Sequence, residues 1–536
     1  MSEYISDQRQ ISLYLDDESS AFSGHAERLY RPGSIAGIAS VLRDANSSNS
    51  PVTVSGAGTS VTGARVPRRG WVLSTERLRS VVPADDEQIV SASGLSIAVN
   101  QSSMTARVPA GCTLAELDLL LERVGLLYPP DPTERTATVG GSIATNASGA
   151  RSFCFGATRD WVEALDLVLP DGTMTSIRRG ERARGRNLDV AGLHVVLPSR
   201  RHYRWPRCKN ATGYFVQRGM DAVDLFVGGE GTLAVVAAAE LRLVARPRVA
   251  GDIMVFFRDD RTLLRAAHAL SRHPFRMTRL LSMEYFDNRS LDLLRSEYTE
   301  LPSGTSSLLL ELALPAGRPD RQPGDPDREP VFPESSIIHE WHSFISRLSP
   351  SDVWLMPANE HQRTRELRHR LPELVNAQVR AGFGKVGTDF AVPRRRLGAM
   401  MRLYREASRG DLPSVLFGHI GECHLHMNFL ARDENDRDEA RRRHDALAWA
   451  AVRLGGTVSA EHGVGKKVAT VAGRGGRSGV PVAGGLATPQ WAETPVIPYA
   501  EVLFGSDGMA ELSRIKTQLD PNGILNPGTL IREPGS

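Results

Sequence analysis

Three clusters of small residues, each set beside a short apolar run, limit what this chain can fold into more than any other feature. The first, Gly56-Ala57-Gly58-Thr59-Ser60-Val61-Thr62-Gly63, lies between the runs Val52-Thr53-Val54 and Trp71-Val72-Leu73. Glycines let main-chain N–H groups come close to an anion, and the hydroxyls add donors for phosphate oxygens. Ala64 stands where a Walker loop needs Lys, and Val61 where the Rossmann fingerprint needs Gly. The second cluster is Pro129-Pro130-Asp131-Pro132 followed by Thr138 through Gly149. A helix core would hold larger apolar residues, so this stretch suits a wall against a flat ligand. The third, Gly228-Gly229-Glu230-Gly231-Thr232-Leu233, precedes a strand.

Around these loops the chain alternates strands and helices. Residues 113–127 read as a helix: Thr113 and Glu116 form a capping-box pair, and Leu114, Leu117, Leu121 and Val124 share a face. Leu165 to Leu169 reads as a strand ended by the turn Pro170-Asp171-Gly172, and Leu233 to Val244 as another. After Arg246-Pro247, helices at 261–271 and 337–348 alternate with strands at 253–257 and 306–313, an order that suits helices packed over an antiparallel sheet. Residues 315–335 and 471–487 have the composition of surface insertions. Ile515 to Leu530 reads as a short helix and two turns.

A chain of 536 residues needs more than one core. Four cysteines lie far apart without a C-x-x-C, which argues against an iron–sulfur cluster or a thiolate zinc site and makes a disulfide framework unexpected. A net charge of +3 and basic clusters without interleaved aromatics argue against nucleic-acid binding. No apolar run is long enough to span a bilayer, and Met1 to Asp7 does not resemble a signal peptide. The cytoplasm is therefore the expected compartment, with peripheral membrane contact left open.

Chemistry concentrates in Val415 to Asn428. Two strands joined around Gly421 would place His424, His426 and Asn428 on one face, and folding back would bring His419 beside His426. Ser459-Ala460-Glu461-His462-Gly463 supplies a carboxylate next to another imidazole. Two imidazoles and a carboxylate form a donor set that zinc or a similar divalent transition metal accepts, with a position left for substrate.

In combination and in order, these motifs resemble the vanillyl-alcohol oxidase / p-cresol methylhydroxylase flavoproteins, and within them the D-lactate, glycolate and D-2-hydroxyglutarate dehydrogenase branch. The resemblance runs from about Arg31-Pro32 to Leu530 and includes Lys209-Asn210-Ala211-Thr212-Gly213-Tyr214. It implies an α+β architecture: a two-subdomain FAD-binding fold over 25–246, a substrate or cap domain with an antiparallel sheet over 247–510, and a segment returning to the flavin over 511–531. It also implies FAD contacts at Gly56, Ala57, Gly58, Thr59, Ser60, Gly63 and Ala64 in the first loop. In the second they fall at Pro130, Asp131, Thr138, Gly140, Gly141, Ala144, Thr145, Asn146 and Gly149. Glu230, Gly231, Val235 and Asn526 complete the set. Thr59 and Ser60 occupy the neighbourhood where some relatives tether flavin through a His, so FAD is expected to be non-covalent.

The same resemblance implies His419, His426 and Glu461 as metal ligands and His462 as the base. Arg368 and Lys385 match positions that bind substrate carboxylate. Glu422-Cys423-His424 replaces the Asp-x-Asn of many relatives, leaving His424 as a substrate donor or a further ligand. The expected reaction is oxidation of a small (D-)2-hydroxy acid to the 2-oxo acid by hydride transfer to flavin. The alternatives are a non-redox ether-lipid synthase on the same fold and a protein that merely holds flavin. The electron acceptor stays open among quinone, a cytochrome, an electron-transfer flavoprotein and oxygen.

Overall fold

The computed structural model describes residues 3–19, 21–272, 278–314, 334–470 and 496–532. The apolar runs flanking the first glycine loop become parallel neighbours: Trp71–Ser74 lies between Arg28–Tyr30 and Val52–Ser55. Helix Ile35–Ser47, N-capped by Ser34, buries Ile38, Val41, Leu42 and Ala45 in the core that this small sheet shares. A second, antiparallel sheet of six strands has the order Gln88–Ala92, Leu95–Asn100, Thr105–Pro109, Val235–Arg242, Val162–Val168 and Met174–Arg178.

A third sheet runs in the order Asp352–Pro357, Val249–Phe257, Ser306–Ala313, Arg279–Phe286, Ser414–Gly418, His424–Ala431 and Gly384–Gly387. Every pairing in it is antiparallel, and the short strand Phe390–Ala391 also pairs with His424–Ala431. Helix Asp260–Leu270, capped by Asp259, lays Leu263, Ala266, Ala267 and Leu270 on it. Ser306–Ala313 is buried along its whole length, as befits a strand covered on both faces. The mixed α+β architecture expected from the sequence is present.

Local differences have local causes. The helix expected over 113–127 spans Leu114–Glu122; its capping box forms, but Gly125 takes φ +70° and Leu126–Leu127 pairs as a strand with Val244–Ala245. The strand expected over 233–244 is Val235–Arg242, and that over 253–257 starts at Val249. The last helix begins at Tyr499, runs to Leu519 and breaks at Gly505, so it is far longer than read from 515 onward. Helix Glu334–Ser346 takes in the end of the insertion expected over 315–335; residues 315–333 and 471–487 lie outside the described residues. Among the described residues no helix is long and apolar enough to cross a membrane.

Candidate active site

The glycine clusters enclose a cleft of about 380 Å³, within the range of small-molecule sites. Gly56, Ala57, Gly58, Thr59, Ser60 and Ala64 form one wall. Thr138, Gly140, Gly141, Ala144 and Thr145 face it from the short helix Val139–Thr145, whose cap is the Thr138 hydroxyl accepting from Gly141 N–H at 3.2 Å. Glu230, Gly231 and Asn526 also line the cleft. Gly56 and Gly231 are among the lining glycines that leave no room for a side chain. A Cβ on Gly56 would lie 2.7 Å from Thr138 Oγ1, and one on Gly231, at φ +68°, would lie 2.8 Å from Asn526 Nδ2. Asn526 stitches the cleft together, accepting from Val54 N–H at 2.7 Å and donating to Glu230 O at 2.8 Å.

The other residues expected at the flavin lie behind this lining. Gly63 N–H donates to Asp17 at 2.7 Å, and Asn146 accepts from Arg159 N–H at 2.9 Å. Asp131 is buried, 2.9 Å from Arg135, with the main chain of Gly149 packed on its own backbone and Pro130 buried next to it. Val235 belongs to the core beneath the small sheet.

At one end of the cleft, where Glu461 and His462 reach its wall, the histidines converge. Donor atoms of His419, His424, His426 and Glu461 all lie within 4.8 Å of one another. His426 faces the site from its strand, across from Phe417; His419 follows the neighbouring strand, and the turn Ile420–Glu422 leads back into the strand of His426, the folding back expected around Gly421. Glu461 Oε1 is 3.4 Å from His419 Nε2 and 3.2 Å from His426 Nε2. Metal–ligand bonds of about 2.0–2.2 Å set donors roughly 3–4.3 Å apart around one ion, and the two Glu461–imidazole distances fall in that range, so these residues could hold a divalent metal.

Partners that sequence reasoning missed fix these rings. Glu284, one strand away, binds His419 Nδ1 at 2.8 Å, and the Thr388 carbonyl accepts from His426 Nδ1 at 3.2 Å. Asp389 bridges two imidazoles, with Oδ1 2.7 Å from His424 Nε2 and Oδ2 3.2 Å from His462 Nδ1. Burial opposes charge on His419, but Glu284 and then Glu461 overcome it and carry the pKa up to about 9. His424 is fully buried and burial pushes its pKa down to about 3. For His462, too, burial opposes charging, and Asp389 then Glu461 hold it above the ordinary value. Lys209 places its ammonium 2.9 Å from Glu461 Oε2 and 3.1 Å from Glu422 Oε2. Lys209 and Asp389 sit inside motifs visible in the sequence; Glu284 carries no sequence signal at all.

The two expected carboxylate anchors differ. Arg368, on helix His361–Arg380, has a buried Nη2 with no hydrogen-bond partner among the described residues, and its charge helps hold the Glu284 carboxyl low after burial and His419 have acted. Lys385 is exposed and donates to Asn376 Oδ1 at 2.9 Å, and Asn376 lines the cleft. Lys385 pairs in register with Leu430, on the same sheet face as His426.

Residues 26–178 match the FAD binding domain, and residues 343–482 with 492–530 match the C-terminal domain of FAD linked oxidases. The chain is 24% identical to glycolate oxidase subunit GlcD of Bacillus subtilis, an alignment covering 97% of this chain and 92% of that one. It is 26% identical to a D-lactate dehydrogenase of Archaeoglobus fulgidus over 94% of this chain and 91% of the relative. It is 27% identical to a D-2-hydroxyglutarate dehydrogenase of Xanthomonas citri, covering 93% and 88%. An alkyldihydroxyacetonephosphate synthase structure shares the fold, with a TM-score of 0.61 at 14% identity over 98% of this chain and 82% of that one.

Proposed function

Because this chain belongs to the FAD-linked oxidoreductases of the vanillyl-alcohol oxidase / p-cresol methylhydroxylase family, in the branch that holds the D-lactate, glycolate and D-2-hydroxyglutarate dehydrogenases, we propose that it oxidises a small (D-)2-hydroxy acid to the 2-oxo acid with metal assistance. The observation carrying this reading is that His419, His426 and Glu461 converge beside His462 at the wall of the cleft. Non-covalent FAD fits the cleft, whose first loop offers Thr59 and Ser60 and no His. When bound, FAD supplies the two-electron acceptor and a divalent cation on His419, His426 and Glu461 supplies a Lewis acid.

The chain's own groups do the rest. His462 turns Nδ1 to Asp389, which leaves Nε2 to take the substrate hydroxyl proton. The unpaired Arg368 Nη2 and the Lys385 ammonium bind carboxylate and set the face of the α-carbon presented to the cleft. With FAD bound as the hydride acceptor, passage of the hydroxyl proton to His462 Nε2 would leave a 2-oxo acid.

Anaerobic addition of D-lactate, glycolate and D-2-hydroxyglutarate, separately and with or without chelator, tests this. One of the acids should bleach the flavin absorbance, more slowly after chelation. Folded, flavin-loaded protein that no 2-hydroxy acid reduces would refute it and leave the synthase or flavin-holding alternatives.

A further inference from the structure

Three imidazoles, not two, turn a nitrogen toward Glu461. His419 and His426 each commit Nδ1 to an acceptor, Glu284 and the Thr388 carbonyl, and present Nε2 to Glu461 Oε1. His424 is arranged the opposite way round. Its Nε2 is committed to Asp389 at 2.7 Å, and its Nδ1, on a ring with 0% exposure, has no hydrogen-bond partner among the described residues; Glu461 Oε2 lies 3.9 Å away. In the neutral ring, the form that binds a metal, an N–H spent on an outer acceptor leaves a lone pair on the inner nitrogen. Lone pairs converging on a carboxylate repel one another unless a cation sits among them, and an unmet buried nitrogen is costly.

We propose that His424 is a third imidazole ligand, so that this chain holds its divalent metal through His419, His424, His426 and Glu461. The inference rests on the metal-assisted reading above and adds a donor to it. Lys209 already occupies Glu461 Oε2, leaving Oε1 to face the ion. A set of three nitrogens and one oxygen suits a first-row transition metal over magnesium or calcium. Four protein donors would saturate a tetrahedral ion. A 2-hydroxy acid binding through its hydroxyl and one carboxylate oxygen brings the total to six, so the site favours ions that accept six donors, such as divalent manganese, iron, cobalt or nickel. His424 therefore acts on the ion rather than on the substrate, which a ring without exposed surface reaches poorly.

The test loads FAD-containing protein with cobalt(II) and compares wild type, His424→Asn and His426→Ala, using flavin retention as the check of folding. X-ray absorption should count three imidazoles on cobalt in wild type and two in His424→Asn, with cobalt affinity weakened about tenfold or more. Two imidazoles in both proteins and equal affinity overturn the ligand role of His424 while the metal reading stands, provided His426→Ala loses the ion. Wild-type protein that retains flavin yet takes up no cobalt overturns both. If His424→Asn does not fold, His424→Gln is measured in its place by the same count.

Discussion

The Glu230 carboxylate accepts a 2.7 Å hydrogen bond from the Gly465 N–H, joining residues 235 positions apart. Its other oxygen accepts from Val464 N–H at 3.0 Å, and a Cβ on Gly463 would lie 2.9 Å from the same carboxylate. Glu230 thus lines the cleft and also grips the loop that carries Glu461 and His462.

Glu230 gives a pH dependence. Burial pushes its pKa up to about 7, against the two main-chain hydrogen bonds that lower it. A carboxyl whose folded pKa is raised contributes stability that is complete below its unfolded value, about 4.5, and is lost as pH rises through about 7. The stability of wild type relative to Glu230→Gln should therefore fall between pH 4.5 and 7.5, by roughly 3 kcal/mol at most. Chemical denaturation of both proteins across that range measures it; a difference that stays constant contradicts the raised value.

His462→Ala should retain flavin and slow its reduction by the true substrate on the order of 10²–10⁴-fold. Asp389→Asn should slow it less, because His462 keeps its place but loses the carboxylate that orients Nδ1. Anaerobic stopped-flow reads both. Unchanged reduction in His462→Ala removes it as the base.

Gly231→Ala should release flavin. The left-handed φ of +68° costs a Cβ residue about 1–2 kcal/mol, and the new methyl would displace the Asn526 amide from 2.8 Å. Flavin fluorescence in the filtrate of purified protein reports the loss.

Arg151→Met should destabilise the protein by about 3–5 kcal/mol, the effect of stranding a buried charge. Arg151 Nη2 lies 2.6 Å from Glu311 Oε1, joining the end of the second glycine cluster to the centre of the large sheet. Arg151→Met combined with Glu311→Leu should recover part of the loss in urea unfolding, since no charge is then left unpaired.

The parts of the site written in contiguous sequence were legible. The glycine loops announce themselves by composition, and strand alternation alone placed His424 and His426 on one face. Glu284 was invisible because it meets His419 only through the pairing of Arg279–Phe286 with Ser414–Gly418, and nothing in either strand states that order. Arg151–Glu311 was hidden for the same reason: its members are 160 residues apart. The helix from Leu114 was foreseen by its cap but overrun at its end, where pairing of Leu126–Leu127 with a distant strand outweighed apolar periodicity.

Asn526 closes the cleft against Val54 across 472 residues of chain. Closing that wall is therefore a long-range step: the first glycine loop gains this side of its enclosure only when the segment carrying Asn526 docks on the strand carrying Val54.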